Sequence, residues 1–156
     1  MTPEAHMRRA IDLSLEMMRS GRGGPFGAVI AKDGKLIAEG FNQVTSTNDP
    51  TAHAEVVAIR RACQALDTFD LTGCEIYTSC EPCPMCLSAI YWARISRIYY
   101  ANDRADAASI GFRDDFLYNE IPLPLDQRAI PSERLLAKEG RAAFDEWDAK
   151  PDKVQY

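Results

Sequence analysis

The stretch from Glu75 to Ala101 constrains this chain more than any other. Residues 75–79 read as a short strand, Pro84 opens a helix that continues to about Ala93, and residues 95–101 read as a second strand. A strand–helix–strand unit returns its second strand parallel to the first, through a right-handed crossover. The turn between the first strand and the helix holds Pro82, Cys83, Pro84, Met85 and Cys86. Three of the five cysteines (Cys80, Cys83, Cys86) therefore crowd where a strand empties into a helix.

The remainder supplies partners for that unit. Thr2-Pro3 has the form of an N-cap followed by a first-turn proline, opening an amphipathic helix whose expected apolar stripe is Ile11, Leu15 and Met18, closed by Gly21. Residues 26–32 and 35–41 flank Asp33-Gly34 as a hairpin. Asp49-Pro50 announces a second helix, with His53 and Glu55 in its first turn, running to about Leu66. A polar stretch at 103–115 precedes a last helix from about 132 to 147, stopped by Pro151. An antiparallel hairpin joined to a parallel unit gives a mixed sheet, and the helices cover both faces in a three-layer α/β/α sandwich.

Composition narrows the function. Hydrophobic residues at 46% and charged residues at 26% suit one globular domain spanning 1–156. A net charge of −5 disfavours a nucleic-acid partner, because phosphate neutralisation supplies most of such affinity. No apolar run spans a bilayer and residues 1–9 are polar, so a cytoplasmic protein with no membrane partner is expected. An odd number of cysteines in such a chain points to metal or redox chemistry rather than a disulfide framework.

Zinc takes imidazole and thiolate ligands, and a catalytic centre leaves one of four positions open for water. His53, Cys83 and Cys86 supply three ligands; the other histidine, His6, reads as a surface residue. Cys83 falls near a helix N-terminus, where unpaired amides and the helix dipole favour the thiolate. Residues two apart do not share a helix face, so His53 and Glu55 reach one site only over the helix end. Glu55 then need not be a ligand, and a carboxylate so placed can take the proton of a metal-bound water, pass it to a ring nitrogen and protonate departing ammonia. Two other readings stay open at this point: a closed structural site with Cys80 as fourth ligand, and a redox pair of Cys80 with Cys83. Cys63 and Cys74 read as packing residues.

With those residues in view, the chain resembles the cytidine-deaminase superfamily and, within it, the guanine deaminases. The resemblance rests on G-G-P-F-G-A-V-I at 23–30, N-D-P-T-A-H-A-E at 48–55, Y-T-S-C-E-P-C-P-M-C at 77–86, I-Y-W-A-R at 90–94, G-F-R-D-D-F at 111–116 and a terminal tyrosine. It implies a cytidine-deaminase-like α/β/α sandwich around a mixed five-stranded sheet. It also implies one zinc per chain with a catalytic water, and conversion of guanine to xanthine and ammonia. Phe26 and Trp92 would pack on the purine, Asn42 and Asp114 would read its polar edges, and Tyr156 would close over it. A homodimer is expected, with the C-terminal helix and tail (about 132–156) exchanged between subunits. Ser88 departs from the pattern, standing where glycine is common.

Overall fold

The computed structural model describes all of residues 1–156. The chain divides into two compact units, Met1–Leu117 and Tyr118–Tyr156. No helix in either is long and apolar enough to cross a membrane.

The first unit opens with helix α1 (Pro3–Arg19), whose N-cap is Thr2: the hydroxyl accepts from the Ala5 N–H and Pro3 enters the first turn. Strands β1 (Gly27–Lys32) and β2 (Lys35–Phe41) form the hairpin expected from Asp33-Gly34. Both turn residues have positive φ, 51° and 74°, as such a two-residue turn requires. A short helix α2 (Val44–Thr47) follows, then α3 (Ala54–Leu66). The second long helix thus starts four residues later than Pro50 suggests. The Asp49 carboxylate accepts from both the N–H and the hydroxyl of Thr51, and this turn delays helix entry until His53.

Strand β3 (Cys74–Cys80), helix α4 (Pro84–Trp92) and strand β4 (Arg97–Asn102) form the parallel crossover unit. The sheet has four strands in the order β2-β1-β3-β4, antiparallel except for the β3–β4 pair. The fifth strand expected from the resemblance is absent. Asp103 and Asp106 form a reciprocal capping box that turns the chain after β4 into helix α5 (Arg104–Ser109), followed by α6 (Asp114–Glu120).

Strand parity separates two cores. Ala28, Ile30 and Ile76 pack with Ala54, Ala58 and Ala62 of α3 and Ile90 of α4. Val29, Ala31 and Tyr77 pack with Ala10 and Leu13 of α1. The sheet therefore lies between α1 and the α3/α4 pair. The buried face of α1 is His6, Ala10, Leu13 and Ser14, while Ile11, Leu15 and Met18 are exposed. This face wins because α1 lies close on β1 along Ala10 and Ser14: a Cβ on Gly27 would strike the Ala10 carbonyl. His6 is not a surface residue either; it is buried against the Tyr77 ring at 5.0 Å, with neither ring nitrogen hydrogen-bonded. Cys74 is buried in the α3/α4 core with Cys63 packed against it, as packing residues should be.

The second unit contains a short 3₁₀ turn (Leu125–Gln127) and helix α7 (Ala137–Ala149). That helix begins five residues after the expected 132, since Leu136 takes a left-handed φ of 51°. No residue of this unit is buried.

Candidate metal and catalytic site

His53 and Cys83 are the N-cap residues of α3 and α4. Neither side chain caps its own helix, so both are released to project over the helix ends. Two packed helices whose N-termini converge thereby bring one imidazole and one thiol together, and Cys86, one turn into α4, adds the second sulfur. His53 Nδ1 lies 3.6 Å from Cys83 Sγ and 3.5 Å from Cys86 Sγ. The three donor atoms lie within 4.8 Å of one another. A tetrahedral ion with Zn–N and Zn–S bonds of about 2.0–2.3 Å sets nitrogen and sulfur about 3.5 Å apart. The donors fit zinc in identity and in spacing.

Glu55, in the first turn of α3, is buried at 5% exposure beside this cluster. Burial pushes its carboxyl above the usual carboxylate range. Its Oε1 lies 3.1 Å from the hydroxyl of Thr78, which is also 2.8 Å from the Cys80 carbonyl. The Cys83 thiol is drawn down to about 4, chiefly by hydrogen bonding with Cys86 and also with His53, which favours the metal-binding thiolate. Hydrogen bonding to Cys83, followed by burial, pushes Cys86 up. Cys80 stands outside the donor cluster, and burial pushes its thiol up to about 12. The geometry thus gives three protein donors, not a closed four-ligand site, and Cys80 lacks the low-pKa thiol of a redox pair.

A small, partly enclosed cleft opens over the donors. Phe26, Asn42, His53, Glu55 and Asp114, all named from the sequence, line it. Asn42 is buried, and its Oδ1 accepts from the Val44 N–H at 3.1 Å and the Gly24 N–H at 3.5 Å. The amide NH₂ is therefore the group left for a ligand. Gly23 lets the preceding loop lie on Asn42, since any Cβ there would overlap the Asn42 carbonyl. Burial raises the Asp114 carboxyl, and the nearby Cys83 and Glu81 charges act the same way.

Trp92 does not join these residues. It is 69% exposed at the end of α4 and borders a separate depression with Leu87, Ser88 and Tyr91. Its face of α4 is turned away from the buried Cys86 and Ile90. The aromatic partner of Phe26 is instead Phe112, edge-on at 4.8 Å and 88°. Tyr156 is an exposed residue at the end of the second unit. Ser88 is exposed and bonds the Pro84 carbonyl at 2.8 Å within its own helix, so it disturbs no packing.

Sequence reasoning missed Thr78, Glu81, Ala107 and Phe112. Phe112 lay inside the 111–116 motif, and Thr78 was legible as a hydroxyl in the middle of an otherwise buried strand. Glu81 ties the cysteine turn to α5: its carboxylate accepts from the Arg104 N–H at 3.2 Å and pairs with the Arg104 guanidinium at 3.1 Å.

An α/β sandwich with one imidazole, two thiol donors and an unliganded carboxylate under an open cleft defines a zinc-dependent catalytic centre of the deaminase type. Residues 1–102 match the family described as the cytidine and deoxycytidylate deaminase zinc-binding region, and the chain belongs to that family. It is similar to a guanine deaminase from Bacillus subtilis, 51% identical over 156 residues that span both chains completely. The crystal structure of a Bacillus subtilis guanine deaminase superposes with a TM-score of 0.97, covering 100% of this chain and 99% of that one. A tRNA-specific adenosine deaminase from Agrobacterium fabrum is 50% identical, but over 76 residues, 49% of this chain and 50% of its own.

Proposed function

We propose that this protein is a guanine deaminase, a hydrolase that converts guanine and water to xanthine and ammonia. The observation that carries the substrate is the extent of similarity. It runs along the entire chain at 51% identity for the Bacillus subtilis guanine deaminase, whereas the tRNA-specific adenosine deaminases of Agrobacterium fabrum and Haemophilus influenzae match 49% of the chain at 50% identity and 74% at 35%. The charge of −5 agrees, since a folded RNA would meet a surface poor in counter-charge.

His53, Cys83 and Cys86 hold the metal. Zinc bound there supplies Lewis acidity, enough to lower the pKa of water from about 15.7 toward 7. Glu55 takes the proton from the attacking water and passes it to a ring nitrogen of the purine. It then takes the proton of the newly added hydroxyl, as the carbonyl forms and the C–N bond breaks, and delivers it to the departing amine, which leaves as ammonia rather than as an amide ion. The raised carboxyl of Glu55 supports this task, because a shuttle must hold and release a proton near neutral pH. Phe26 and Phe112 stack and edge-pack the base, the Asn42 amide donates to an acceptor on its rim, and Asp114 accepts from ring N–H groups. These groups form a polar frame around a flat apolar slot, as expected for a planar heterocycle.

The C-terminal helix and tail, about 132–156, close the site as part of a homodimer, with Tyr156 laid over the base. Leu135, Leu136, Phe144 and Tyr156 are each about 70% exposed, an apolar load that gains by burial against a second copy. The protein works in the cytoplasm on a small free base.

Ammonia release measured on guanine, guanosine, cytosine, an aminotriazine and a tRNA anticodon stem tests the assignment. Turnover of guanine well above the others is expected; turnover of the tRNA stem with none of guanine overturns it.

A further inference from the structure

We propose that Thr78 is a positioning residue for deamination, its hydroxyl fixing one oxygen of the Glu55 carboxyl so that the other faces the reacting base. The proposal rests on the reading of Glu55 as proton shuttle. Thr78 is fully buried in β3, and its backbone is locked on both sides, paired with Ala28 of β1 and Tyr100 of β4. It shares a strand face with Ile76, which packs into the α3/α4 core. A valine would fill the same volume there without burying a hydroxyl, so the hydroxyl needs a reason.

Its partners supply one. The hydroxyl has one hydrogen and stands 3.1 Å from Glu55 Oε1 and 2.8 Å from the Cys80 carbonyl. A hydroxyl donates once and accepts twice. It can therefore donate to a carboxylate, or turn its hydrogen to the Cys80 carbonyl and accept from a carboxylic acid. Thr78 thus pins Oε1 from the sheet side whichever way its hydrogen points. With Oε1 held against the sheet, the carboxyl does not swing between steps, and the geometry of proton transfer is kept.

The experiment uses the zinc-loaded, full-length protein with guanine. Thr78→Val removes the hydroxyl at constant shape, and Thr78→Ser keeps it. The expected result is normal zinc content and unchanged KM for Thr78→Val, with kcat down about tenfold or more, the size of a lost charge-assisted hydrogen bond. Thr78→Ser should stay within about threefold of the parent. Should the valine protein fold poorly, Thr78→Ser against Thr78→Ala isolates the same hydroxyl. Adding Thr78→Val to Glu55→Gln should cost little further turnover, because the two groups act as a unit. Three results overturn the proposal: unchanged kcat without the hydroxyl, loss of zinc in Thr78→Val (which would place its role at the Cys80 turn), or a serine variant no better than alanine. Normal turnover by Glu55→Gln alone would instead remove the shuttle reading beneath it.

Discussion

His53 and Cys83 occupy the same place in two different helices, each the N-cap residue, with ring nitrogen and sulfur 3.6 Å apart. This pairing explains how donors 30 residues apart in sequence converge without a dedicated loop. It also places each neighbour: Glu55 falls inside the first turn, outside the three-donor group, and Cys80 ends the strand, also outside it.

Cys83→Ser and Cys86→Ser should each reduce zinc to well below one ion per chain, as read by elemental analysis of purified protein. Cys80→Ser should retain the ion and most activity, because its thiol is held protonated by burial and belongs to no donor set. Both ligand variants should also melt earlier, since metal affinity is coupled to folding. Equal zinc loss from all three would restore the closed four-ligand reading.

Glu55→Gln should keep the metal and lose turnover by about 10² to 10⁴-fold, the range of a general acid–base group. Elemental analysis alongside steady-state kinetics checks both halves. A drop in zinc content would assign the carboxylate to the metal rather than to the proton.

Asp114→Ala should raise KM for guanine and lower kcat/KM by about 10²-fold, with zinc intact, because a base held by buried polar groups loses more than one hydrogen bond when one is removed. A purely solvated loop aspartate would leave both constants near their parent values.

The Arg9–Glu39 pair predicts a pH dependence of stability. Both carboxylate oxygens accept from the Arg9 guanidinium, at 2.6 and 2.9 Å, and this holds the Glu39 carboxyl below its ordinary range. A depressed carboxylate contributes stability above its unfolded pKa, about 4.3, and loses it as pH falls through the lower folded value. Both side chains are about one-third exposed, so the contribution is modest, about 0.5–1 kcal/mol. Glu39→Gln should melt a few degrees below the parent at pH 7, with the gap closing below about pH 4. A gap that persists at pH 3 would show that packing, not charge, is at stake.

Deleting residues 153–156 should leave a folded, zinc-loaded protein with markedly reduced guanine turnover. Sedimentation of the parent should report a dimer. Unchanged kinetics after truncation would show that the tail takes no part in the site.

The sequence carried the chemistry further than the packing. His53, Glu55, Cys83 and Cys86 were legible because ligand types and helix N-termini follow rules within a few residues. Asn42 and Asp114 came from resemblance, and no local rule would have found them. Phe26 and Trp92 came the same way, and the place of Trp92 on the solvent side of α4 depends on which face packs on the sheet. The same dependence hid the true inner face of α1: His6, Ala10 and Leu13 are individually weak signals beside Ile11, Leu15 and Met18. The fifth strand was implied by resemblance alone and had no segment of its own in the sequence; the 103–115 stretch, read only as polar, opens instead with a helix capped by Asp103 and Asp106.

Gly40 has no side chain and touches no ligand, yet it acts as the gauge of the metal centre. A Cβ there would strike the Ala54 carbonyl and crowd Ala58, so the distance between β2 and α3 is set by a hydrogen atom. Ala54 stands between His53 and Glu55, and a shift of α3 by one methyl's thickness moves donor and shuttle together. The tolerance of the catalytic centre is thus written partly in a residue on the opposite strand, where a search confined to coordinating atoms would never look.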